Sequence, residues 1–287
     1  MIRQVPNIVF TLVMLAILGA CSGDDSTTIN IEAPSNNGGD SSGGGDSSGG
    51  DSGGDSGGET PAECPEGTTE VSDGLCELPA TVDSNLTLTS GVSYLMTDRV
   101  TVGNGNGQLK TNGDGTLDDG SAVQSVTLTI EAGVEVRGKT GTFANLLITR
   151  GSKIMAMGTA DAPIVFSSDD AGYDGSGEWG GLIIHGYAPH NECAVGGSYC
   201  DIDSEGESGF AGGYDPDDSS GVLRYVVVAE GGYEFSTGNE INGISLVGVG
   251  RGTEMDYIQV HGNSDDGIEF YGGNVNVKHG VFTNNND

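Results

Sequence analysis

From Thr81 onward the chain alternates short apolar runs with turn-forming residues. Val126-Thr-Leu-Thr-Ile130, Leu146-Leu-Ile148, Ile164-Val-Phe166, Leu182-Ile-Ile184, Leu223-Arg-Tyr-Val-Val-Val228, Ile244-Ser-Leu246 and Tyr257-Ile-Gln-Val260 are the clearest. Each has the length of a strand, is rich in β-branched residues, and is bounded by Gly, Asn or Asp. No stretch carries the apolar period of a helix, so residues 81–287 are predicted to be all-β.

The runs recur with a spacing. Ile130, Ile148, Val165 and Ile183 are almost evenly spaced and are taken as centres of successive strands. Asn239-Glu-Ile-Asn-Gly-Ile-Ser-Leu-Val-Gly248 matches Asn263-Ser-Asp-Asp-Gly-Ile-Glu-Phe-Tyr-Gly272 position by position, so the step from Asn239 to Asn263 is one repeat. Leu223-Arg-Tyr-Val-Val-Val228 echoes Met255-Asp-Tyr-Ile-Gln-Val260, with an insertion in the step between them. Self-similarity at about twenty residues or more marks a solenoid, in which each coil buries its apolar face only by stacking on the next. The register set by Asn239 and Asn263 predicts rows of Asn239, Asn263 and Asp287, of Asn242 and Asp266, and of Gly243 and Gly267. Side-chain amides in such rows can bond along the stack. A β-sandwich also explains short strands, but not the repeated Asn-x-x-[Asn/Asp]-Gly-Ile-x-[Leu/Phe] register.

Four further segments carry a family resemblance. They are Leu128-Thr-Ile-Glu-Ala-Gly133, Ile148-Thr-Arg-Gly-Ser-Lys-Ile154 with Gly158-Thr-Ala-Asp-Ala-Pro-Ile164, Gly177-Glu-Trp-Gly-Gly-Leu182, and Asp265-Asp-Gly-Ile-Glu-Phe-Tyr-Gly-Gly273. They resemble a family of right-handed parallel β-helix lipoproteins and surface proteins of marine and gliding bacteria, most without an assigned function. The resemblance implies a right-handed parallel β-helix over residues 81–287. It also implies further coils after Asn284-Asn-Asn-Asp287, where the repeat is interrupted without a polar cap. The chain is therefore expected to be the N-terminal part of a longer solenoid.

Upstream the texture is different. A basic start at Arg3 and an apolar run from Ile8 to Leu18 precede Leu18-Gly19-Ala20-Cys21. The run is shorter than the roughly 20 residues of a membrane-spanning helix and has the length of a secretory core segment. The four residues ending at Cys21 resemble the bacterial lipobox, which implies a signal peptide over 1–20 and a diacylated (palmitate-type) Cys21. Ser22, in place of Asp, resembles the pattern that sends lipoproteins to the outer membrane, on its periplasmic or cell-surface face. Residues 21–62 repeat Asp, Ser and Gly with almost no apolar content, and so read as a disordered tether. Residues 63–80 hold Cys64 and Cys76 and read as a small disulfide-closed plug or spacer.

The net charge of -32, from Asp+Glu 42 against Lys+Arg 10, repels nucleic acid and excludes it as a partner. The same surface attracts cations, so Ca²⁺ is the cofactor to consider. With Cys21 set aside, four cysteines remain in two local pairs, Cys64/Cys76 and Cys193/Cys200, and an even number in an exported chain predicts two disulfides.

Candidate chemistry is sparse. Right-handed β-helices also resemble pectate lyases, which use Ca²⁺-binding carboxylates and a basic proton acceptor. The best acidic cluster is Asp265, Asp266 and Glu269, and a second is Asp215, Asp217 and Asp218. Arg224, Arg251 and Lys278 are the basic candidates, with no motif joining them. Asn112-Gly-Asp-Gly-Thr-Leu-Asp-Asp119 is partly like a Ca²⁺ loop, with Asp114, Asp118 and Asp119 as ligands, but the first ligand position is Lys110 and the last holds no carboxylate, so two key ligands are missing. His185, His190, His261 and His279 lack metal-ligand spacing. Trp179 can stack on a sugar ring or pack at a loop base. No catalytic residue is assigned. The expectation is a membrane-anchored surface lipoprotein for adhesion, matrix or glycan binding, with polysaccharide or other surface proteins as partners. The alternatives are a Ca²⁺-dependent polysaccharide lyase or glycoside hydrolase on the same helix, and a spacer in a longer surface protein.

Overall fold

The computed structural model describes residues 62–286 apart from 111–114, 195–196, 198–199, 204–205 and 237–238. The signal segment, Cys21, the tether and Asp114 lie outside the described residues. Every regular element among the described residues is a strand, as the apolar runs predict.

The chain enters as an antiparallel hairpin, β1 (Thr69–Ser72) and β2 (Leu75–Glu77). From β2 it winds in coils. The first coil adds β3 (Thr81–Val82) and β4 (Leu86–Leu88); the second is β5 (Ser93–Met96), β6 (Val100–Val102) and β7 (Thr127–Ile130). The third is β8 (Glu135–Gly138), β9 (Leu146–Ile148) and β10 (Lys153–Met157). The fourth has β11 (Ile164–Ser168) and β12 (Leu182–His185), then an insertion with a short hairpin, β13 (Ile202–Asp203) and β14 (Phe210–Ala211). Next come β15 (Gly221–Ala229), a hairpin of β16 (Glu234–Ser236) and β17 (Asn239–Glu240), then β18 (Ile244–Val247), β19 (Glu254–His261), β20 (Ile268–Tyr271) and β21 (Asn276–Thr283).

β15, β19 and β21 each run through a corner. The first half of β15 pairs with β10 and its second half with β11. Three parallel sheets result. The first contains β2, β5, β8, β11 and the second halves of the three bent strands; the second contains β4, β7, β10 and their first halves. The third is β3-β6-β9-β12-β18-β20. This is a parallel β-helix. Gly221 opens β15 with φ +117°, and a Cβ there would overlap the Ile154 carbonyl oxygen. The insertion returns to the stack through a residue that only glycine can supply.

Part of the repeat reading holds residue by residue. Ile244 pairs with Ile268, the same step as Asn239 to Asn263. Leu223 pairs with Met255, Val226 with Ile258 and Val228 with Val260. The series Ile130, Ile148, Val165, Ile183 does not mark coils. Those residues sit in β7, β9, β11 and β12, and the series passes over β8 and β10. Coil length is not constant, because insertions leave at the corners. One coil carries the chain from Leu128 to Ile154, which stacks directly on it. The next must travel from Ile154 as far as Gly221, around the whole insertion, before it lands in register. The asparagine row also shifts. Asn263 N donates to Asn285 Oδ1 at 3.0 Å and Asn263 Nδ2 to the Asp266 carbonyl at 2.8 Å. The last coil is shorter than the one before it, with Val277 stacking on Met255, so Asn285 takes the place expected for Asp287. The Asn239 side chain and Asp287 lie outside the described residues.

Inward rows such as Leu88, Ile130, Ala156, Leu223 and Met255 fill the interior between the sheets. β9 and β12 are buried on both faces. Their outer residues Leu147 and Ile183 join Ile241 in a second apolar cluster, which explains why these strands read as unbroken apolar runs rather than as alternation.

Both expected disulfides are present, Cys64–Cys76 and Cys193–Cys200. Cys76 is fully buried in the main core, and β2 stacks on β5 through Leu75↔Ser93. The stack therefore begins at β2, not at residue 81, and the loop is its first layer rather than a spacer. Replacing Cys64 and Cys76 together with Ala is expected to lower stability by about 3 kcal/mol, the loop-closure value for a ring of this length. The check is the urea midpoint; an unchanged midpoint would show that the hairpin lies outside the cooperative unit.

Candidate functional site

The bent strands create a surface that the earlier coils lack. At the corner between second and first sheets, β15, β19 and β21 each place one residue in the left-handed region: Tyr225 (φ 48°), Tyr257 (φ 54°) and His279 (φ 48°). For a bulky residue this conformation costs on the order of 1–3 kcal/mol, and such outliers gather at functional sites. The three rings form a column. Tyr225 and Tyr257 stack with centroids 4.4 Å apart, and Tyr257 and His279 repeat that distance. Each stacked pair returns roughly 0.5–1.5 kcal/mol, which offsets part of the strain.

Beside the column, on the outer face of the second sheet, lies a cleft of about 460 Å³. Its lining includes Arg224, Arg251, Glu254, Asp256 and Lys278. Strand alternation brings the charges out, since inward-facing Leu223 and Met255 set Arg224 and Asp256 outward. In register, Arg224 lies beside Asp256 and Asp256 beside Lys278. Arg224 pairs with Glu254 and Arg251 with Asp217. His279 Nδ1 lies 2.6 Å from Asp256 Oδ1. Tyr225 alongside, then desolvation and Asp256, push the Tyr257 phenol above its ordinary pKa. Asp217 holds Arg251 above its ordinary value, and Arg251 holds Asp217 below its own.

The insertion before β15 builds one wall of the cleft. Arg251 N donates to the Pro216 carbonyl at 3.1 Å, Gly252 N to the Asp218 carbonyl at 3.0 Å, and Ser220 N to Thr253 Oγ1 at 2.8 Å. Asp218 is largely withdrawn from solvent there, and desolvation raises its pKa.

The three basic residues that sequence spacing left unconnected thus meet in one place. They are three of the 10 Lys and Arg of the chain, gathered among the carboxylates of Asp217, Glu254 and Asp256. The aromatic column was missed as a feature. Its signal was present, because aligning Leu223–Val228 with Met255–Val260 sets Tyr257 over Tyr225.

The other candidates are not brought together. Among the described residues no group of three or more His, Cys, Asp or Glu could hold a metal ion. Asp119 closes its own turn, accepting from Ser121 N at 2.8 Å and Ser121 Oγ at 2.7 Å, and Asp118 is exposed on that turn. Glu269 accepts from Asn242 Nδ2 and the Tyr271 hydroxyl on the third sheet, while Asp265 and Asp266 sit in the turn before β20. Trp179 is not a surface platform. It is fully buried in the core and donates Nε1–H to the Ala229 carbonyl at 2.7 Å. It packs against Gly138, where a Cβ would come within 2.7 Å of the Trp179 ring.

A family model described as a pectate-lyase-like beta helix domain matches residues 95–287. No curated protein and no solved structure matches the chain.

Proposed function

Because the chain belongs to the family of pectate-lyase-like beta helix domains, we propose that it is a glycan-binding surface protein that holds an acidic polysaccharide in the cleft of the second sheet without cleaving it. The observation that carries this reading is the convergence of Arg224, Arg251 and Lys278 beside the Tyr225–Tyr257–His279 column. Guanidinium and ammonium groups recognise carboxylates, and aromatic rims suit sugar rings because they present an apolar body with a polar tip. The net charge of -32 repels an acidic polymer from most of the surface, which favours binding where cations gather. The lipobox-like segment at Cys21 and the Asp-, Ser- and Gly-rich residues that follow it support an outer-membrane lipid anchor with a tether, as in the bacterial surface lipoproteins that the repeats resemble.

The test is a binding titration of purified protein with acidic polysaccharides at fixed salt, with and without Ca²⁺. The combined variant Arg224→Gln/Arg251→Gln/Lys278→Gln is expected to weaken binding at least about a hundredfold, since hydrogen bonds to charged groups contribute roughly 1.5–3 kcal/mol each. Unchanged binding by that variant would sink the proposal.

A lyase or hydrolase is the second reading. It is favoured by Lys278 standing beside Asp256 in the cleft, two groups of the kinds that acid–base catalysis draws on. Incubation with the same polymers separates the two. Sustained appearance of unsaturated products or new reducing ends, abolished by Lys278→Ala, would replace binding with catalysis.

A further inference from the structure

We propose that the cleft selects a polysaccharide that carries its acidic group on every second sugar. This rests on the glycan-binding reading above and narrows its ligand. Arg224, Asp256 and Lys278 occupy one register row on three successive strands. Neighbouring strands are about 4.8 Å apart, so the backbone positions that carry the two cations stand roughly 9.5 Å from each other, with the position of a carboxylate midway. The middle strand is acidic at both outward positions, because Glu254 shares β19 with Asp256. The aromatic column advances at nearly the same pace, 4.4 Å from ring to ring.

A polymer laid along the column crosses the strands and advances about one sugar per strand. An acid group on one sugar then meets Arg224. The next sugar faces Asp256, which repels another carboxylate but accepts hydrogen bonds from hydroxyl or amide groups. The third sugar brings its acid group to Lys278. A polyuronate with an acid on every residue instead sets one carboxylate in three against Asp256. The Arg224–Glu254 pair in the free protein is exposed, and such pairs exchange for a ligand at little cost.

The experiment titrates the purified chain with three polymers of matched length at one salt concentration. They are hyaluronan, in which uronate and N-acetylhexosamine alternate, polygalacturonate, with uronate at every residue, and neutral galactan. Hyaluronan is expected to bind about tenfold tighter than polygalacturonate, the worth of one charged contact. Lys278→Gln weakens hyaluronan binding by a similar factor. Asp256→Asn erases the preference by admitting polygalacturonate. Polygalacturonate binding as tightly as hyaluronan, or a preference untouched by Asp256→Asn, overturns the alternation. If both acidic polymers bind equally and Lys278→Gln weakens both, the cleft reading stands and only the alternation falls. If neither acidic polymer binds, or neutral galactan binds as well as both, the two readings fall together.

Discussion

Replacing Arg150 with Met is expected to destabilise the protein by about 3–5 kcal/mol, the cost of removing one partner from a buried ion pair. Arg150 is fully buried, and its Nη1 lies 2.8 Å from Asp201 Oδ1. The same guanidinium donates Nε–H to the Gly105 carbonyl at 2.8 Å and Nη2–H to the Gly107 carbonyl at 2.7 Å. Nη1 also reaches the Gly212 carbonyl at 3.1 Å. One side chain therefore ties β9's end to two insertions, the one after β6 and the one after β12. Met fills much of the volume but leaves the Asp201 charge without its cation, with Leu109 N–H still donating to it, and several buried carbonyls without a donor. Arg150→Lys is expected to recover little, because a point charge cannot serve partners arranged around a planar fork.

The loss should be local before it is global, since a solenoid's stability is a sum over neighbouring layers. Hydrogen exchange in Arg150→Met is expected to quicken over residues 105–107 and 206–220 while β7 and β10 remain protected. Uniform quickening would show that the insertions are not a separate cooperative unit. The effect reaches the cleft, because the insertion supplies Pro216, Asp217 and Asp218 to the turn that carries Arg251. Polysaccharide affinity is expected to fall in Arg150→Met although Arg150 lines no part of the cleft.

The solenoid was legible in the sequence because stacking writes itself into residue identity. Leu223–Val228 and Met255–Val260 look alike because each position faces the same surroundings one layer apart. The coil period was not legible. Insertions leave from corners, and a corner tolerates one residue, such as Tyr225, or the insertion before Gly221, without disturbing the pairing on either side. The even spacing from Ile130 to Ile183 arose from strands of different sheets. The cleft was hidden for a related reason. Arg224, Arg251 and Lys278 look scattered until the register sets β15, β19 and β21 side by side. Asp118, Asp119, Asp265 and Asp266 lie in turns, and Asp119 accepts from Ser121 N and Oγ there, a local role that short turn carboxylates commonly take. Trp179 has a surface-like neighbourhood of Gly and Glu in sequence, yet the fold draws it inside, where Gly138 leaves room for its ring.

Lowering the pH below about 6.5 is expected to weaken the grip of the same insertion through His185. This residue ends β12, is completely buried, and its Nε2 lies 3.1 Å from Ser208 Oγ. Burial first, then the positive charge of Arg150, pull its pKa down to about 3, against a contrary pull from the Phe210 backbone; Arg99 adds a smaller push in the same downward direction. The unfolded chain takes up a proton near the ordinary histidine value, and the folded chain does not. Stability from neutral His185 is therefore complete above pH about 6.5 and declines by about 1.4 kcal/mol per unit below it. Over the window down to the folded value the loss approaches roughly 5 kcal/mol. Asp218 and Glu230 act in the opposite direction, since burial raises both and their protonation favours the folded state as pH falls. The difference between wild type and His185→Gln isolates the histidine. The variant is expected to be less stable at pH 7.5, where it loses packing and the Ser208 contact, and to show a flatter decline in urea midpoint between pH 6.5 and 4. Parallel declines in the two proteins would show that His185 is not the group that titrates.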